Sequence, residues 1–113
     1  MLLYAVLIFA IAAIGGLVLA SSVLRGKLAP WFVSVLHALL GASGLVLLIL
    51  EVLKGAAPAR LSAALGLLVI AALGGFFLAS FHLRKQVASK GLVFVHAGVA
   101  VAGFLTLLSL LLG

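Results

Sequence analysis

Residues 11–25 read IAAIGGLVLASSVLR, and residues 70–84 read IAALGGFFLASFHLR. The offset is 59 residues, and it holds without a gap through the rest of the chain. Arg25 pairs with Arg84, Ala29 with Ala88, His37 with His96, Ala38 with Ala97, Gly44 with Gly103 and Leu48 with Leu107. The chain reads as a tandem duplication. Whatever one half folds into, the other half must also fold into, and the two must pack together. A histidine stands at the matching place in each half.

The medium is set by composition. Of 113 residues, 68% are hydrophobic and 7% charged. Soluble domains carry roughly 25% charged residues, so this chain has too little polar surface to face water and is read as a membrane protein. The absence of cysteine removes disulfides, thiolate metal sites and iron–sulfur clusters. The net charge of +6 does not call for nucleic acid. The basic residues fall at span ends, where lipid headgroups and the positive-inside rule account for them.

The apolar runs predict spans at about 2–24, 31–53, 60–83 and 91–112, joined by loops at 25–30, 54–59 and 84–90. Spans of this length rise roughly 34 Å, enough to cross a bilayer with modest tilt. Loops this short make neighbouring helices antiparallel. The expected fold is all-α: a four-helix transmembrane bundle made of two tandem parallel helix-hairpin repeats. It forms a single membrane domain over 1–113, with repeat one at about 1–54 and repeat two at about 60–113. Span one is not read as a cleaved leader, because it lacks a basic n-region and has a partner in span three. Arg25, Lys27, Arg84, Lys85 and Lys90 lie in loops one and three, against Lys54 and Arg60 at loop two. That bias puts loops one and three in the cytoplasm and both termini outside, in the periplasm of a bacterial inner membrane.

Helical spacing sorts the polar and small residues onto stripes. Span two carries Ser34, His37, Gly41, Gly44, Leu48 and Glu51, and span four carries Val93, His96, Ala100, Gly103, Leu107 and Leu110. These stripes are expected to face the bundle interior, with Leu, Val, Ile and Phe facing lipid. Spans one and three carry small-residue patches at Gly15, Gly16, Ala20, Ser21 and Ser22, and at Gly74, Gly75, Ala79 and Ser80. The patches serve either close helix packing or room for a flat ligand. His37 lies six residues into span two, roughly 9 Å deep at the helical rise, and His96 matches it.

An ionisable residue inside a membrane is costly to keep there, so it raises a functional hypothesis. One reading of His37 and His96 is an interior hydrogen-bonding pair, and another is a proton relay. A third is haem b: two imidazoles from symmetry-related helices supply its two axial ligands. Gly15, Gly16, Gly74 and Gly75 would admit the ring, and Arg25 and Arg84 would pair with its propionates. Two histidines without a carboxylate at their depth are too few for a closed zinc site. His82 has Val23 as its counterpart and is read as a polar cap, or else as an alternative ligand. Glu51 is the only acidic residue and is expected to pair with Lys54. Trp31 and Tyr4 suit interfacial anchoring, and Pro30 suits a helix entry.

With its GG…LR…H pattern in two hairpins, the chain resembles small bacterial four-helix inner-membrane proteins. Through His37, His96 and the nearby glycines it also loosely resembles bis-histidine b-type membrane cytochromes. The second resemblance implies one haem at most, since three histidines cannot supply two sites. The size is similar to that of small multidrug transporters, but their first-span acidic residue has no counterpart here. The expected function is therefore a small membrane haem protein moving electrons, alone or within a larger membrane complex. Its expected partners are lipid, a quinone or further copies of the chain. A small channel, transporter or accessory subunit with structural histidines is the rival. Neither reading specifies an enzyme.

Overall fold

The computed structural model describes residues 2–55, 58–87 and 89–112. Ala88, the expected partner of Ala29, lies outside them, as do both terminal residues and part of loop two. Four helices follow one another: α1 Leu2–Leu24, α2 Trp31–Leu53, α3 Ala59–Leu83 and α4 Lys90–Leu112. The first two bounds match the sequence expectation, and the last two helices each begin one residue earlier. All four are long and apolar enough to cross a membrane. The chain is a small integral membrane protein with a four-helix bundle fold. The helices end where the chain chemistry stops them. Pro30 and Pro58, both extended, stand immediately before α2 and α3, where a missing N–H matters little.

The C-termini of α1 and α3 close in one way. Gly26 N donates to the Val23 carbonyl and Lys27 N to the Ser22 carbonyl, both at 2.9 Å. Lys85 N donates to the His82 carbonyl at 2.9 Å and Gln86 N to the Phe81 carbonyl at 2.8 Å. This is the double bond of a Schellman cap, whose turning residue is left-handed. Gly26 takes that position with φ 72°, and Lys85 takes it with φ 56°.

Each hairpin is tight within itself. The α1–α2 and α3–α4 interfaces are far more extensive than α2–α3 and α1–α4. Helices α1 and α3 lie on one diagonal of the bundle, and α2 and α4 on the other. The core sits toward the loop-two end. Ala5, Leu48, Ala64 and Leu107 are wholly buried, with Val6, Phe9, Leu61 and Leu68 around them. Here the helices approach most closely. A β-carbon at Gly44 would fall 2.7 Å from Phe9 Cζ, and one at Gly103 would fall 2.9 Å from Leu68 Cγ. Glycine is needed at both places because a ring or an isobutyl group already fills the space. The outer faces carry Leu3, Leu7, Ile14, Leu17, Leu39 and many similar residues, a surface that suits lipid rather than water. Exposed hydroxyls are turned back to their own helices: Ser43 donates to the Leu39 carbonyl and Thr106 to the Ala102 carbonyl, each at 2.8 Å. In lipid such back-bonding removes an unsatisfied donor.

Candidate functional site at the paired histidines

His37 and His96 project from the diagonal helices α2 and α4 into the bundle. Their ring centres are 6.3 Å apart, and the planes stand at 84°. Sequence spacing brought these residues to one depth, and the fold brings them together.

Each ring rests on the glycine pair of its own hairpin. A β-carbon at Gly16 would lie 3.1 Å from His37 Cε1, and one at Gly75 would lie 3.0 Å from His96 Cε1. Gly15 and Gly74 stand one step away, at ordinary contact distance of 3.7 Å from His37 Cβ and His96 Nδ1. The glycine recesses therefore receive the imidazoles, where the sequence had left open a flat ligand. This is why a large interior histidine and a tight hairpin coexist.

The two rings differ in their hydrogen bonding. His37 Nδ1 lies 2.7 Å from the Ala12 carbonyl oxygen, close enough for the ring N–H to donate to it. That bond fixes the tautomer and leaves Nε2 as the nitrogen with a lone pair. His96 Nδ1 is buried without a hydrogen bond of good geometry, although Ala71, the counterpart of Ala12, faces it. A hollow of about 120 Å³ lies beside His96, lined by Ala71, Gly74 and Phe77 on α3 and by Val95 and Val99 on α4.

The arginines stand apart from the histidines. Arg25 Nε donates to the Ser21 carbonyl at 3.1 Å and its Nη2 to the Ser21 hydroxyl at 3.3 Å. Arg84 repeats both contacts on Ser80, at 3.3 and 3.4 Å, and its guanidinium lies 4.8 Å from the centre of the Phe81 ring. Both side chains therefore finish their own helix C-termini, where a cation and the last carbonyls attract each other.

His82 meets Trp31, the first residue of α2, with ring centres 4.6 Å apart. Residue spacing carries no sign of this contact, because it crosses between hairpins at the mouth of the bundle. Glu51 pairs with Lys54 at 3.0 Å, as its spacing suggested. At the same end Arg60 Nη1 donates to the Ser109 hydroxyl at 3.1 Å, tying α3 to α4. Among the described residues no three His, Asp or Glu side chains gather as metal ligands. No known protein family, curated protein or solved structure matches this chain.

Proposed function

We propose that the protein is a membrane haem b carrier of electrons, with His37 and His96 as its axial ligands. The observation that carries this reading is the spacing of the two rings. Two imidazoles, one from each hairpin, stand close enough together that both could hold one iron. The observed separation is 6.3 Å. The bond from His37 Nδ1 to a carbonyl is the outer-shell contact that a ligating histidine ordinarily makes. His37 and His96 are thus the residues that would hold the iron. Room for a macrocycle is a separate requirement, because the imidazoles fill the glycine recesses and the hollow beside His96 is far below the roughly 300 Å³ of a small ligand pocket. That room is not present between the rings as they stand, and parting the hairpins to make it would lengthen the 6.3 Å separation, since the two rings belong to different hairpins. When bound, haem b supplies a one-electron couple. The chain's own part is to fix the two imidazoles, exclude water with its apolar core and hold the charge inside the bundle. A quinone or a larger membrane complex would exchange the electron. With loops one and three in the cytoplasm, as their basic residues suggest, this site would lie near the cytoplasmic face of an inner membrane.

The second reading makes the histidines interior hydrogen-bonding groups of a small channel, transporter or accessory subunit. It is favoured by the seating of both rings in glycine recesses. One experiment separates the two. Expressed with adequate haem supply, the protein should show a low-spin Soret band that shifts on reduction. His37→Ala and His96→Ala should each abolish or convert it, and His82→Ala should leave it. A colourless protein that fails to bind added hemin rejects the haem reading and leaves the second.

A further inference from the structure

His37 and His96 face each other with 6.3 Å between ring centres, and no hydrogen bond joins the two rings. Each presses its Cε1 on a glycine of its own hairpin, Gly16 or Gly75. Each also turns Nδ1 toward a carbonyl of that same helix, Ala12 for His37 and Ala71 for His96. The nitrogen left over on each ring is Nε2. The two rings come from opposite corners of the bundle, α2 and α4. They form a pair of uncharged donors whose other nitrogens are directed at backbone carbonyls, as those of metal-bound histidines ordinarily are.

A bare ion needs none of the room that a macrocycle does, and donor count and charge select which ion. Among the described residues no third His, Asp or Glu joins the pair, which leaves zinc two donors short of its usual four. Calcium and magnesium take oxygen donors. The one carboxylate side chain, Glu51, lies about 21 Å along α2 from His37 at the helical rise and pairs with Lys54. Nothing therefore offsets the charge of an ion at the histidines. The Born cost of a buried charge grows with its square, so a monovalent ion costs about a quarter of what a divalent one does. Imidazole suits copper, and Cu(I), with one charge and a filled d shell, is satisfied by two nitrogens in line. Turning either ring about that line leaves both bonds intact, so the 84° between the ring planes is no obstacle. The chain has no cysteine, and its single methionine is the first residue, so no sulfur ligand competes from within the spans.

We propose that His37 and His96 form a two-coordinate site for Cu(I) inside the membrane. The site does not rest on the haem reading. It uses the same two imidazoles for an ion that both can reach without the hairpins parting. It also gives the channel, transporter or accessory-subunit reading a ligand of stated chemistry.

The test uses the full chain in detergent, with Ag(I) as a redox-inert probe of the same charge and shell. With histidines labelled in nitrogen-15, one equivalent of Ag(I) should shift the Nε2 signals of His37 and His96 and leave that of His82 in place. Cu(I), kept reduced and titrated against a coloured chelator, should bind once per chain and more tightly than Zn(II). His37→Ala and His96→Ala should each weaken it by more than about a hundredfold, since losing a ligand outweighs losing an outer-shell partner. Where those variants do not fold, the nitrogen shifts of the wild type still decide. Unmoved His37 and His96 signals overturn the site, as does Cu(I) affinity that survives both substitutions. Tighter Zn(II) binding would mean further ligands and overturn it too. Hemin added to the same protein separates the two readings, because bound Ag(I) should block it. If Ag(I) moves both nitrogens and hemin gives no Soret band, the haem reading falls and the Cu(I) site stands. If hemin binds and Ag(I) moves neither, the Cu(I) site falls and the haem reading stands. Hemin and Ag(I) bound to one chain together would place the ion elsewhere, and the site falls.

Discussion

His37 lies on Gly16 so closely that a β-carbon there would come within 3.1 Å of Cε1, and His96 lies on Gly75 at 3.0 Å. The ring and the glycine form one packing unit, built once in each hairpin. Replacing either glycine by leucine should destabilise the bundle by about 1–3 kcal/mol, the usual range for overpacking. Removing the ring should undo most of that loss, so Gly16→Leu in a His37→Ala background should be much milder. Thermal unfolding in detergent of the single and double variants measures the coupling. Additive losses would show that the two residues do not share a site.

The second pair of close approaches separates two substitutions that look alike in sequence. At Gly44 the nearest atoms all belong to the end of the Phe9 ring, which can shift. At Gly103 they include Leu67 Cβ at 3.2 Å, which is fixed to its backbone. Gly103→Ala should therefore cost more stability than Gly44→Ala. Gly41→Ala should be nearly silent, since nothing lies within 4 Å. Equal melting temperatures for all three would contradict the assigned core.

Trp31 is the single tryptophan, and its ring centre lies 4.6 Å from that of His82. His82→Ala should change the surroundings of the indole and shift its emission maximum, and His37→Ala should leave it where it is. An unshifted maximum in His82→Ala would mean that the two rings do not meet in solution.

The basic residues of loops one and three predict an orientation with both termini outside. A periplasmic reporter fused after residue 113 should be active, and a cytoplasmic reporter there should not. The reverse result would move the histidines to the outer side of the membrane.

The helices were legible because apolar runs set their lengths and prolines stand before two of them, Pro30 before α2 and Pro58 before α3. The left-handed turn at Lys85 carries no such signal. Interior stripes were legible where the repeat supplied two copies of one pattern, as at Gly44 and Gly103 or Leu48 and Leu107. The sequence could not say which helix a glycine would face. Gly15 and Gly16 face the histidine of their own hairpin, a choice set by the rotation of α1 against α2. Nor could it show Trp31 meeting His82, since that contact depends on how one hairpin sits against the other. The attachments of Arg25 to Ser21 and of Arg84 to Ser80 were within reach of spacing alone, because each pair is four residues apart on a helix.

The wholly buried core toward loop two leaves the histidine pair off-centre in the bilayer. His37 is six residues into a helix of 23, so roughly a quarter of the hydrocarbon path lies on its shallow side. A unit charge crossing an entire membrane exchanges about 2.3 kcal/mol per 100 mV. A charge delivered to the pair from the loop-one side would traverse about a quarter of that field, roughly 0.6 kcal/mol per 100 mV. Reaching the pair from the opposite face would mean crossing the remaining three quarters through packed side chains. In an energised membrane the bundle is therefore an asymmetric dielectric. A charge held at the pair would follow the potential only weakly and would stay in register with one compartment.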